Sequence, residues 1–364
     1  MKKLLIFLII STFFTFCTSE KKDDTTVRNL FLLDYINKYN ASQIKDWNSA
    51  EISLTSSDRI TSIKVLQSKF WLTSRGSFSS TGQIFYSSDG KTWTKTSYSG
   101  EQIYDINYIN NQYIAVGGNS TATGVVYSST DGATWTKKAT ISGSSGLTKI
   151  AGNTSFYVVS GSGYTNPNYF ALATSTDLVN WTTGTNTTTS FTSDLVVTSS
   201  GVGYIGADSS GRIATCSTNC SSIGNWSLSI LGSDIGIVKF ADMNGTVIAA
   251  GSNNLSGSTS SGAYVSKSGG AFSKVSGLTL PAYTSFTKVI DSKFLLAKYD
   301  SSDSSNTKTF YYSSDGSTWK ETTITTTASD SLSLNHFAVL NGTYVTDSSN
   351  YKVLYSSSSK ITFP

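Results

Sequence analysis

The residues able to carry acid–base or metal chemistry are few: the 364-residue chain holds a single histidine and three cysteines. His336 lies inside the strand-like stretch Leu334-Asn-His-Phe-Ala-Val339, where a structural role fits better than that of a general base, which needs an orienting partner. The arginines are Arg28, Arg59, Arg75 and Arg212, and the glutamates are Glu20, Glu51, Glu101 and Glu321. No glycine-rich phosphate loop opens a helix, and Asp300, Asp303 and Asn306 lack the alternate spacing and terminal glutamate of a calcium loop. Cys216 and Cys220 stand four residues apart. With so few histidines and thiols nearby, a disulfide across one loop suits them better than a metal site. Neither metal nor cofactor is expected.

The third cysteine belongs to a different feature. Lys2 and Lys3 precede an apolar run, Leu4 to Phe16, that is too short for a membrane span of about 20 residues and reads as an export signal. Cys17 ends the run and a polar stretch, Thr18 to Asp24, follows. The arrangement resembles a lipoprotein signal in which Cys17 is lipidated. Phe14-Thr15-Phe16-Cys17 departs from the common pattern and is closer to the relaxed form seen in spirochaete lipoproteins; cleavage after Ser19 without lipid is the rival reading. The expected organisation is a signal peptide over 1–16, a tether over 17–26, a short helix and a candidate closing strand over 27–54, and a repeat domain over 55–364. Leu30, Leu33 and Ile36 carry the helical spacing within Val27 to Tyr39. The expected location is the cell envelope, lipid-anchored at the outer membrane or cell surface, or else secreted.

The elements behind these residues follow from composition and period. Charged residues are 14% of the chain and aromatics 12%, the profile of short strands joined by polar turns rather than of helices or disorder. The net charge of +4 includes Lys2 and Lys3, and no basic run is interleaved with aromatics, so nucleic acid is not an expected partner. Tyr86-Ser-Ser-Asp-Gly-Lys-Thr-Trp93 returns almost unchanged at Tyr127 to Trp135 and at Tyr312 to Trp319. Weaker copies end at Trp181, Trp226, Phe272 and Phe363, so the aromatic landmarks fall 42 to 47 residues apart. Between landmarks the order is polar strand, apolar strand, turn, apolar strand and a third strand leading into the next motif, as in Ile103 to Ile109, Asn110-Asn111 and Tyr113 to Val116. Each repeat therefore predicts one four-stranded antiparallel sheet. Trp47, 46 residues before Trp93, carries the same landmark, and residues 47–54 either supply or extend the outer strand of the last sheet or merely pack a tail against the ring.

These motifs resemble the Asp-box (BNR) repeat of bacterial sialidases, one residue shorter, and are also similar to propellers of the photosystem II assembly-factor type. The resemblance implies an all-β, seven-bladed β-propeller. Asp89, Asp131, Asp177 and Asp315 are expected to cap hairpins, with Trp93, Trp135, Trp181 and Trp319 wedged between blades. Sialidase chemistry, as the resemblance implies it, would need an arginine trio, a tyrosine–glutamate nucleophile pair and an aspartic acid. The poverty of arginine and glutamate argues against it.

Two surfaces remain as candidates for a ligand. The innermost strands carry Lys64, Asn107, Lys149, Asp194, Lys239, Lys288 and His336, about one polar residue per repeat, as a channel that attracts an anion or simply as solvated groups. The loops between second and third strands vary in length and hold Tyr164, Asn168, Asn253, Asn254 and Tyr299, where binding on a rigid scaffold usually sits. The expected function is non-catalytic: binding or scaffolding of a protein or glycan, with a sialidase-like glycosidase or an assembly factor for another exported protein as alternatives.

Overall fold

The computed structural model describes residues 47–356 apart from 56, 77–80, 120–122, 145, 162–171, 185–192, 207–210, 233–234, 254–259, 279, 281–283, 299–306, 326–331 and 349–351. Residues 1–46, with the signal, Cys17, the tether and the Val27 to Tyr39 helix, lie outside this set, as does Phe363. The described residues form seven four-stranded sheets, every pairing antiparallel between strands adjacent in the sheet. The first sheet runs Arg59–Leu66, Lys69–Arg75, Gln83–Ser87 and Thr94–Lys95. Among the described residues there is no α-helix, only a single 3-10 turn at Ile223–Asn225.

The strand pattern follows from the side chains. The second and third strands are buried on both faces, as in Lys69–Arg75, where Phe70, Trp71 and Leu72 are all enclosed, so their apolar runs are continuous rather than alternating. Outer strands such as Thr94–Lys95 are polar and exposed, which blunts their free edges, whereas Ser227–Ile230 of the fourth sheet exposes Leu228 and Ile230. Two-residue hairpins join first to second strands, with positive φ at both positions of Gln67-Ser68, Asn110-Asn111, Asn244-Gly245, Asp291-Ser292 and Asn341-Gly342.

The first strands of the sheets are Arg59–Leu66, Gln102–Ile109, Leu147–Gly152, Asp194–Val197, Ile237–Met243, Thr284–Ile290 and Leu332–Leu340. Each touches the next, and the last touches the first, so they line the hub of a closed ring. One buried apolar cluster fills each seam between neighbouring sheets. The landmarks occupy these seams in order. Trp93 packs between the seventh and first sheets, Trp135 between first and second, and Trp319 between fifth and sixth.

The ring is closed from the N-terminal side. Asn48–Ser49 pairs antiparallel with Val353–Ser356 through Asn48↔Tyr355 and Ser49↔Leu354, giving the seventh sheet its outer strand. Trp47, 7% exposed, sits in the seam between the sixth and seventh sheets beside Phe337 and Leu354, the place that the other landmarks take in theirs.

Candidate functional site

The acidic turns are built alike. Ser87 Oγ accepts from the Gly90 N–H at 2.8 Å and donates to Asp89 Oδ1 at 3.0 Å. The same Oδ1 accepts from the N–H groups of Lys91 (2.9 Å) and Thr92 (3.1 Å). Trp93 Nε1 then donates to the Gly90 carbonyl at 3.1 Å. Asp131, Asp177 and Asp315 repeat the pattern, with Trp135, Trp181 and Trp319 donating to residues 132, 178 and 316. Backbone N–H donors hold the Asp131 and Asp315 carboxyls down at about 2, and Asp177 lower still. In the third sheet Leu178 occupies the left-handed position that glycine takes elsewhere, at φ +68°, and its side chain fills the adjacent core.

At the hub, the polar residues of the inner strands are engaged with neighbouring sheets. Lys64 Nζ lies 2.7 Å from Oδ1 of Asp105, which is 1% exposed, and Asp105 Oδ2 accepts from the Ile150 N–H at 3.2 Å. Burial pushes the Asp105 carboxyl up, but the Lys64 and Lys149 charges outweigh it and hold it below the usual range. Asp194 repeats this one pair of sheets further on, accepting from the Phe240 N–H at 2.8 Å, while Lys239 Nζ donates to the Ser193 carbonyl. Asn107 donates to the Ile150 carbonyl at 3.3 Å. Lys288 Nζ reaches the Phe337 carbonyl at 2.6 Å and the Ile63 carbonyl at 3.3 Å, tying the sixth sheet to the seventh and first. Burial and the nearby Lys64 and Lys149 charges push the Lys288 ammonium down to about 8. His336 Nδ1 lies 3.2 Å from Asp347 Oδ2. Bulges just before Ser62, Asp105, Lys149 and Phe286 bend the inner strands next to these residues. Lys64, Lys239 and Lys288 thus bond from one sheet to another while remaining partly exposed, a contact the sequence alone does not reveal.

The fourth and fifth sheets depart from the rule. Cys216 and Cys220 are joined by a disulfide across the turn, and Trp226 Nε1 donates to the Cys220 carbonyl at 3.0 Å, so a disulfide-bonded turn does the work of the acidic one. In the next seam the landmark is Phe272, which has no N–H to donate. Gly269 keeps the positive φ at +78°, and Ser266 Oγ donates to the Gly270 carbonyl at 2.6 Å. A cleft of about 430 Å³ opens there, lined by Tyr204, Ile213, Cys216, Gly269 and Phe272 with several hydroxyl residues.

No family model matches the sequence, and no curated protein is similar to it. Solved structures are similar in backbone. Virginiamycin B lyase from Staphylococcus aureus superposes with a TM-score of 0.61 at 9% identity, covering 85% of this chain and 98% of that one. The Cps50 (Swd1) beta-propeller domain of Myceliophteria thermophila gives 0.56 at 7% identity, over 85% and 99%. PorZ, a bacterial surface component of the type-IX secretion system of Porphyromonas gingivalis, gives 0.52 at 9% identity, over 86% of this chain and 38% of that one. The fold is a seven-bladed β-propeller. At such identities the likeness reaches the fold and no further.

Within the propeller, Arg59 and Arg75 face each other across the first blade, whereas Arg212 begins the third strand of the fourth. The structure does bring together one pair that the sequence leaves apart. Tyr127 OH donates to Glu101 Oε2 at 2.5 Å, and Lys137 Nζ lies 2.6 Å from Glu101 Oε1. Burial and the Glu101 carboxylate push the Tyr127 phenol well above its ordinary value, so it stays protonated, while Glu101 is held down by Lys137 and Tyr127 against its burial. Glu101 lies in the bend before Gln102–Ile109 and Tyr127 within Thr123–Ser129, 26 residues on, so their meeting is recognisable only once that connection is placed against the strands. Tyr164, Asn168, Asn254 and Tyr299, and the side chain of Asn253, lie outside the described residues. Among the described residues no cluster of three or more His, Cys, Asp or Glu could hold a metal, and no helix is long and apolar enough to cross a membrane.

Proposed function

We propose that this chain is an exported, lipid-anchored β-propeller of the Asp-box type that acts as a non-catalytic binding or scaffolding module for a protein or glycan. The observation that carries this reading is the hub. Its lysines and acids tie blade to blade, Lys64 to Asp105 and Lys288 to the Phe337 and Ile63 carbonyls, which makes a rigid frame and directs ligands to rims and loops. Cys17 supplies the anchor, at the outer membrane or cell surface. A secreted form without lipid, and a role as assembly factor for another exported protein, are the variants of this reading.

A second reading, a sialidase-like hydrolase, is favoured by one observation, the short Tyr127–Glu101 hydrogen bond, since a tyrosine nucleophile needs a carboxylate beside it. One experiment separates the two. The full chain is presented to an array of glycans and to detergent-extracted envelope proteins with cross-linking, and in parallel to a fluorogenic sialoside. Capture without turnover is the expected result. Fluorophore release that Tyr127→Phe abolishes would replace binding with catalysis.

A further inference from the structure

Five of the described landmarks are tryptophans whose Nε1 closes onto the carbonyl of a neighbouring turn: residues 93, 135, 181, 226 and 319. The seam between the fourth and fifth blades has Phe272 instead. Its smaller ring leans edge-on against Tyr204 at 5.2 Å and leaves the rest of the wedge open as the cleft of about 430 Å³. The opening is therefore written into the sequence at one landmark. On the fourth blade apolar and polar groups share cross-strand rows, Tyr204 beside Thr215 and Ser227, and Ile213 beside Ser229. Val202, Ser217, Asn225 and the exposed Ile230 extend the lining, and Phe272 completes it. No charged residue is among the described residues that line it. Gly269 and Gly270, which lack side chains, also line it.

Aromatic rings set beside hydroxyls and an amide are complementary to a pyranose ring, which has an apolar C–H face and a rim of hydroxyls. Among the described lining residues no ionised group is present to compensate a carboxylate or phosphate on burial. We infer that the cleft between the fourth and fifth blades is a binding site for a neutral saccharide. The inference rests on the binding-module reading and narrows it to one place and one ligand chemistry. The disulfide at Cys216 and Cys220 holds the cleft's outer lip, joining the third strand of the fourth blade to the turn that anchors Trp226.

The test uses the full chain and four probes: cellotriose, maltotriose, N-acetylchitotriose and the acidic 3′-sialyllactose, titrated by calorimetry. Saturable binding of at least one neutral probe is expected, weakened tenfold or more in Phe272→Trp, which puts into this seam the residue the other blades already accommodate. Ser229→Arg, on the exposed outer strand, is expected to weaken binding likewise and guards against a folding defect in the first variant. The proposal is overturned if none of the neutral probes binds, if only sialyllactose binds, or if both variants bind as the parent does. In the last case saccharide binding persists elsewhere, so the module reading stands while the cleft assignment falls.

Discussion

At the scale of single residues, the acidic turns hold exposed carboxylates in several hydrogen bonds each. Asp131 and Asp315 each accept from two backbone N–H groups and a serine hydroxyl, with carboxyls held at about 2 against 3.8 in an unfolded chain. A carboxyl depressed on folding contributes stability that is present above its unfolded value and is lost as pH falls through its folded one. The thermal midpoint should therefore be flat from neutral pH down to about 5 and fall between about 4 and 2. The double variant Asp131→Asn, Asp315→Asn should be less stable at pH 7 and show a shallower acid limb. A parallel shift at every pH would show that these turns do not set the acid response. Leu178 shows how the same turn tolerates a non-glycine: a left-handed leucine costs about 1–2 kcal/mol, and full burial of its side chain offsets a loss of that size.

At the scale of strands and sheets, stability resides in side chains that leave one inner strand and end on the next. The pair Lys64–Asp105 is the sharpest case, because Asp105 is enclosed while Lys64 keeps 30% of its side chain exposed. Removing the cation alone strands a buried carboxylate, so Lys64→Met should lower unfolding free energy by about 3–5 kcal/mol. That loss should shrink as pH is lowered and the stranded carboxyl takes a proton, and adding Asp105→Leu should recover much of it. Guanidinium midpoints of the three variants at two pH values decide this; a loss independent of pH and unrelieved by the second substitution would mean packing, not charge, is at stake. These cross-links also mark where sequence reading stops. The acidic turns were legible because serine, aspartate, glycine and tryptophan act within eight residues of one another, so the motif is its own explanation. Lys64, Lys239 and Lys288 were legible as one polar residue per inner strand, but their partners lie 41, 46 and 49 or more positions away and depend on register and bulges. The open seam at Phe272 was visible only as a weak copy of the repeat; that a smaller ring leaves a cleft required the neighbouring Tyr204 and Ile213 to be placed.

At the scale of the whole molecule, a ring of sheets has one joint that must be made by distant parts of the chain. Asn48–Ser49 pairs with Val353–Ser356, so this contact encloses nearly the whole repeat domain, the longest loop that a strand pairing closes among the described residues. The two-residue pairing alone is too small to hold the ring. Trp47 supplies the rest, buried in the seam of the sixth and seventh blades against Phe337, Tyr344 and Leu354. The even landmark period pointed to this residue, and the structure gives it the wedge position that Trp93, Trp135 and Trp319 hold elsewhere. Trp47→Ala should accordingly cost about 3–5 kcal/mol, as for a large aromatic removed from a packed core. The distribution of that cost distinguishes a closing latch from an ordinary core residue. A latch variant should lose hydrogen-exchange protection first in Val353–Ser356 and Thr343–Ser348, with the second and third blades still protected. Trp135→Ala, which removes the same side chain from a seam whose wedge follows directly on its own blade's third strand, should leave the seventh blade's protection as in the parent. If Trp47→Ala instead lowers protection evenly around the ring, closure is shared by all seven seams, and the N-terminal strand is only one more edge.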